Sequence, residues 1–218
     1  MRTKTLLLAA AGIAAGILSS QAQSNVYSVN VVGYANVVSP VANQFSLIAN
    51  PLDNGTNTIT SLFPTAPNGT TIQIWNGTGF QSASKSFGNW NTNLYLPPGV
   101  GFFIKYPAGV VTNTFVGNVL VENPSGNGGT NTTALPNVYV LVGSKLPLGG
   151  NLTVNGDNTL NLTAGLGNGS TILAWTGTGY QSASKSFGNW NTNLNLSVGQ
   201  GYFVKANAPT NWVQVLNY

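Results

Sequence analysis

The chain has 218 residues, 5% of them charged and 42% hydrophobic, with 27 Gly, 11 Pro and neither Cys nor His. A length of this order holds one or two domains of about 100 to 200 residues. The missing Cys and His exclude disulfides, thiolate or imidazole catalysis and the usual zinc ligand sets.

Seven Lys plus Arg against three Asp plus Glu give a formal charge of +4. Two of the cations, Arg2 and Lys4, precede an apolar run from Leu6 to Leu18 that contains only Leu, Ala, Ile and Gly. That run is short for a membrane span of about 20 residues, and Ser20-Gln21-Ala22 supplies small residues for cleavage after Ala22, so residues 1–22 read as a signal peptide. The protein is expected to be exported, to the extracellular space or the cell surface. Without residues 1–22 the charge is 5 − 3 = +2, too weak for a nucleic-acid or anionic-membrane partner. No Cys follows the run to carry a lipid, and no later stretch is long and apolar enough to be a stable membrane span.

Beyond that segment the apolar runs are short, β-branched or aromatic, and bounded by Gly, Asn or Pro, which is the pattern of strands. Strands are expected near Val26 to Val38, Phe45 to Ala49, Thr71 to Trp75, Gly79 to Phe87, Gly101 to Lys105 and Thr112 to Val121. Between Phe45 and Thr71, Ile59, Leu62 and Phe63 recur at helical spacing after possible caps Asn57 and Thr58 and before Pro64, so one short helical turn is drawn there. Trp75-Asn76-Gly77-Thr78-Gly79-Phe80 reads as a hairpin, because tight loops need residues that tolerate positive φ.

The fourteen residues from Gln81 to Leu94 recur unchanged from Gln181 to Leu194. Similarity continues outward, from Asn68-Gly69-Thr70-Thr71-Ile72 to Asn168-Gly169-Ser170-Thr171-Ile172, and from Gly99 to Lys105 onto Gly199 to Lys205. Val32-Gly33-Tyr34 and Val116-Gly117-Asn118 look like the opening of each copy, and the Gly, Asn and Thr cluster from Asn123 to Thr133 reads as a linker. The period exceeds that of solenoid repeats. The expected organisation is a repeat over 23–115, a shared strand and linker over 116–135 and a second repeat over 136–218, ending in a strand from Trp212 to Leu216. The expected fold is all-β: two tandem copies of a small β-sandwich or barrel-like domain, with at most one short helical turn per copy.

Acid and base chemistry finds little to work with. Beyond residue 22 the chain owns Asp53, Glu122 and Asp157, none at equivalent positions in the two copies, so a symmetric carboxylate pair is excluded. Ser82-Ala83-Ser84-Lys85 spells a Ser-x-x-Lys motif, but that motif needs a helix, and here a period of two sends Ser and Lys to opposite faces of a strand. The Asp53 to Asn57 and Asn155 to Asn158 loops are oxygen-rich; with one carboxylate each they read as Asn-Gly turns rather than calcium loops. No catalytic residue, no metal site and no cofactor is expected.

The aromatic residues are the remaining functional material. Asn89, Trp90, Asn91, Asn93 and Tyr95, with Asn189, Trp190, Asn191 and Asn193, could form sugar platforms, the rings stacking on pyranose faces and the amides meeting hydroxyls. The alternative is that Trp75, Trp90, Trp175 and Trp190 fill the cores. In Phe103-Ile104-Lys105 and Phe203-Val204-Lys205, Phe and Lys share one face, with Lys expected to lie over an aromatic ring.

Val26 to Tyr34, Phe45-Ser46-Leu47-Ile48-Ala49-Asn50-Pro51-Leu52, Trp75 to Phe80 and Gly99 to Lys105 together resemble a group of uncharacterised secreted proteins of verrucomicrobial bacteria, across essentially the whole chain after residue 22. More loosely, the order of strand, Pro loop, Trp hairpin and Gly-x-Gly-aromatic strand is similar to β modules of bacterial cell-surface and adhesin-like proteins. The resemblance implies export and a β fold; it brings no activity and no functional residues. Ser144-Lys145 in the second copy departs from Asn50-Pro51 in the first. The expected function is structural or adhesive and not enzymatic, through self-association or an extracellular polysaccharide, with carbohydrate binding by the duplicated Asn-Trp-Asn-Thr-Asn segments as the alternative.

Overall fold

Alternation of side chains sorts the longer described strands into a core face and an outer face. A computed structural model describes residues 32–153 and 156–217. The export segment and residues 26–31 of the first expected strand lie outside them. The described chain is nearly all β: seventeen strands and one four-residue helix.

In the first copy β1 (Val32–Ser39) pairs antiparallel with β7 (Val111–Asn118). Between them β2 (Phe45–Ala49), α1 (Ile59–Leu62), β3 (Thr71–Trp75), β4 (Phe80–Ser86), β5 (Asn89–Trp90) and β6 (Gly101–Lys105) follow in order, and the five strands make an antiparallel sheet β2-β6-β3-β4-β5. Next come β8 (Asn123–Ser125), β9 (Gly128–Leu135), β10 (Val140–Gly143), β11 (Gly150–Asn151), β12 (Thr171–Trp175), β13 (Tyr180–Ser186), β14 (Asn189–Trp190), β15 (Asn195–Leu196), β16 (Gly201–Lys205) and β17 (Thr210–Asn217). They repeat the pattern as a sheet β10-β16-β12-β13-β14, with β9 pairing β17 where β1 pairs β7.

Two expectations change. The Gly, Asn and Thr cluster read as a linker forms β8 and β9, because its Thr and Asn residues alternate and find β17 as a partner. Val116-Gly117-Asn118 does not open a second copy: it is the cross-strand partner of Val32-Gly33-Tyr34. A repeated tripeptide in sequence can mean pairing instead of equivalence.

The helical turn forms as expected, capped by Thr58 and Ser61 in a reciprocal capping box. It has no counterpart among the described residues of the second copy, where Asn161 takes φ 51°, a left-handed conformation that interrupts a right-handed helix. Leu160, Leu162 and Leu166 fill that volume instead.

Each copy has its own core. Ile48, Phe102, Ile104, Ile72 and Ala83 turn one face of the first sheet onto Ile59, Phe63 and Phe115. The second copy does the same around Tyr202, Val204, Ile172, Leu162 and Trp212. A third cluster belongs to neither copy alone. Leu47 and Phe103, on the outer face of the first sheet, pack with Leu141 and Phe203 from the same positions of the second, flanked by Phe45, Trp75, Leu173 and Trp175. The Trp75 indole donates to the Tyr139 carbonyl and the Trp175 indole to the Phe45 carbonyl. The described residues accordingly fall within one compact unit.

Glycine permits this approach. A Cβ on Gly101 would lie 2.9 Å from the Val142 carbonyl oxygen, one on Gly201 2.8 Å from that of Ile48, and one on Gly143 2.0 Å from the Ala49 Cβ. The Gly-x-Gly-aromatic strand signature thus marks where one copy's backbone crosses the other's.

Candidate functional site

The outer face of each sheet is divided by residue type. Across the first sheet run the rows Leu47–Phe103–Gln73–Ser82 and Phe45–Lys105–Thr71–Ser84. Their apolar ends meet the other copy, and their polar ends, on β3 to β5, reach the far edge. The second sheet repeats this with Leu141–Phe203–Leu173–Ser182. Lys105 lies over the Phe45 ring and Lys205 over the Tyr139 ring, 5.2 and 5.9 Å from ammonium to centroid, the expected arrangement.

At that edge β4 turns into β5 through two residues, Phe87 and Gly88, between the paired Ser86 and Asn89. Both turn residues have positive φ, 48° and 81°, as a type I′ hairpin turn requires. Gly tolerates this and Asn would; a Phe held left-handed costs about 1–2 kcal/mol. The second copy has Phe187 and Gly188 at the same angles. No described residue covers either ring: Phe87 is 95% and Phe187 94% exposed. The turn is nonetheless held, because the Gly88 N–H donates to the Asn68 side-chain oxygen and the Gly188 N–H to that of Asn168, each at 2.8 Å. Strain persists where surrounding contacts over-determine it.

Sequence alternation extends the β4 strand through Phe87 and sets that residue on the face of Lys85. The structure puts Phe87 in the turn. The signal that could have found it is the Ser-Phe-Gly-Asn tetrapeptide, with Gly one residue ahead of a short return strand.

The expected sugar-platform residues are not gathered on one face. Trp90, opposite Lys85, turns to the core side with Ala83, half-buried, with the Lys85 ammonium 5.8 Å from its ring centroid. The indole nitrogens of Trp90 and Trp190 are buried and have no hydrogen-bond partner among the described residues. Asn89 and Asn91 point the other way and are exposed. The Asn91 side-chain oxygen accepts from the Ser84 N–H at 2.9 Å and the Asn89 amide nitrogen donates to the Phe87 carbonyl; Asn191 and Asn189 repeat both bonds. Asn93 ties the segment to α1 by accepting from the Thr60 hydroxyl at 2.8 Å. Tyr95 and Asn193 are exposed, and the residue equivalent to Tyr95 is Asn195. A recess of about 260 Å³ lies on the core side of the hairpin, among Thr60, Pro64, Lys85 and Trp90.

Lys85 is buried and its ammonium donates to the Pro64 carbonyl at 2.8 Å; the Lys185 ammonium does the same to Leu166. The Ser-x-x-Lys motif therefore lies on a strand with Ser82 and Lys85 on opposite faces. The acids engage internal donors: Asp53 accepts from the Gly55 N–H and the Asn57 amide, Asp157 from the Asn217 amide, and Glu122 from Lys145 and the Thr132 N–H. Burial alone would raise the Glu122 pKa, but Lys145 and the Thr132 N–H together outweigh it and hold the carboxyl below its ordinary value.

No protein-family model, no curated protein and no solved structure matches the chain. No described helix is long and apolar enough to cross a membrane.

Proposed function

We propose that this is an exported, non-enzymatic β protein with a structural or adhesive role at the cell surface or in the extracellular matrix, and that it makes its contacts through the duplicated β4–β5 and β13–β14 hairpins. Its architecture is read as two tandem copies of one small sandwich- or barrel-like domain, joined face to face. The observation that carries the reading is the pair of nearly fully exposed phenylalanines on left-handed turn positions. A ring in that state gains nothing for the folded monomer: it forgoes about 1.5–3 kcal/mol of burial and adds turn strain.

The apolar N-terminal run from Leu6 to Leu18 supports export, with which the resemblance to secreted verrucomicrobial proteins agrees, and the small number of acids beyond residue 22 supports a role without proton transfer. The direct test is adsorption of the purified protein to cell-envelope material of the producing bacterium. Phe87→Ser with Phe187→Ser is expected to abolish adsorption while leaving the circular dichroism spectrum unchanged; equal adsorption of variant and parent would sink the contact role.

A further inference from the structure

The two hairpins carry more than a ring. Ser82, Ser84 and Ser86 alternate along β4 on the outer face, and pairing sets Asn89 opposite Ser86 and Asn91 beside Ser84. These five side chains form a strip that runs to Phe87 at the sheet edge, all of them exposed except the half-buried Ser84. The second copy repeats the strip from Ser182 to Asn191, with the same exposure at each position. Their bonding is incomplete in a useful way. Asn91 spends its oxygen on Ser84 and keeps its amide nitrogen, whereas Asn89 spends its nitrogen on Phe87 and keeps its oxygen. Three hydroxyls, a donor and an acceptor therefore accompany each ring, with no charge among them, because the Lys85 ammonium is turned inward; the copies differ only beside the first hydroxyl, where Ser82 accepts from the Gln73 amide at 3.2 Å and Ser182 faces Leu173.

The pattern of identity between the copies sharpens this. Packing and internal hydrogen bonds account for Ala83, Lys85, Trp90, Asn91 and Leu94. They do not account for Ser86 or Phe87, which are exposed and whose side chains have no partner among the described residues. Exposed positions just outside the identical segment have drifted: Asn76 to Thr176, Phe80 to Tyr180, Tyr95 to Asn195. One ligand element met at two places explains why the exposed, unpartnered Ser86 and Phe87 recur unchanged as Ser186 and Phe187.

We infer that the Ser82–Asn91 strip with Phe87, and its copy with Phe187, are two equivalent binding sites for a neutral polysaccharide, its chain lying along the strip with a sugar face on the exposed ring. The inference rests on the contact role proposed above and names its partner. An uncharged, hydroxyl-rich polymer matches the strip in charge and hydrogen-bonding type, ring faces take up the apolar C–H face of a pyranose, and its repeating units can occupy both sites of one molecule at once. An anionic partner would need exposed cations that the strip lacks.

The test is affinity electrophoresis of the full chain after residue 22 in gels containing β-1,3-glucan, xylan or galactomannan, with pull-down on cellulose and chitin. Retention by at least one of these is expected, and it is expected to survive about 1 M salt, because screening acts on charges and the strip has none. Phe87→Ala alone is expected to weaken retention roughly tenfold through loss of bivalency, and the double variant with Phe187→Ala to abolish it. Phe87→Trp with Phe187→Trp retains binding, and Phe87→Asn with Phe187→Asn, which suits the turn, gives a fully folded protein that does not bind. No retention on any of the five polymers, or retention of the double alanine variant equal to the parent, overturns the inference. Loss of self-association or envelope adsorption in the double variant, without polysaccharide retention by the parent, overturns it too and leaves the contact role standing with a protein partner such as a second copy. Unchanged adsorption in the double variant overturns both.

Discussion

Phe87 and Phe187 occupy a position where turn chemistry and sequence disagree. A type I′ turn favours Asn at its first central residue, and alternation along the strand assigns the same residue to the core face. The contact role proposed above starts from this disagreement, since local conflicts between sequence and fold tend to fall at functional or strained positions. Replacing both phenylalanines by Asn is therefore expected to stabilise the protein by about 1 kcal/mol per hairpin, read as a higher midpoint in urea denaturation with an unchanged slope. A midpoint that falls would mean the rings stabilise the monomer. Trp175 is the opposite kind of residue, with its indole committed to the Phe45 carbonyl at 2.7 Å across the contact between copies. Trp175→Phe is expected to cost about 1 kcal/mol, the typical net worth of one hydrogen bond, measured the same way.

At the scale of elements, periodicity carried most strands and failed at the joints. The runs Phe45 to Ala49, Thr71 to Trp75 and Gly101 to Lys105 coincide with β2, β3 and β6, because short β-branched and aromatic runs between turn residues have few other outlets. The segment Asn123 to Thr133 misled because Gly, Asn and Thr suit both a linker and a strand until a partner strand is present. Glycine's meaning also waits for context. Gly143 sits on β10 against Ala49, and Gly143→Ala, which puts two Cβ atoms 2.0 Å apart, is expected to cost about 3 kcal/mol as overpacking; a loss below about 1 kcal/mol in thermal denaturation would show that the backbones separate easily. Glu122 and Lys145 tie the start of β8 to the loop after β10. The Glu122 pKa is lowered in the folded protein, so this pair's contribution is complete above the ordinary carboxylate pKa and disappears as pH falls through the lowered one. Glu122→Gln is expected to lose less than about 1 kcal/mol at neutral pH, since the pair is partly solvated, and to match the parent at acid pH below both values. A difference that persists there would assign the effect to packing.

For the whole molecule, the shared cluster of Leu47, Phe103, Leu141 and Phe203 changes what duplication means. Each copy has a core, yet the outer faces of the two sheets bury their apolar halves only against each other. The chain is expected to unfold in a single cooperative transition by calorimetry. Phe103→Ala with Phe203→Ala removes two buried rings, and should lower stability by several kcal/mol and split the transition into two, one per copy. Two transitions in the parent would mean that the shared cluster does not couple the copies. The same division of the outer face leaves its polar half free at both far edges, so the packing that joins the copies also determines which surface remains for a partner.

The amino-acid sequence by itself determined the β class, the recurrence of the Gln81–Leu94 segment and the poverty of ionisable groups, because composition, period-two alternation and exact recurrence are properties of the chain before it folds. Only the tertiary structure decided which aromatic rings face water. Trp90, with the larger ring, went to the core side opposite Lys85, while Phe87 was left on the turn. A ring's burial depends on strand pairing and on the φ of a single turn residue, and neither is written in the identity of the ring.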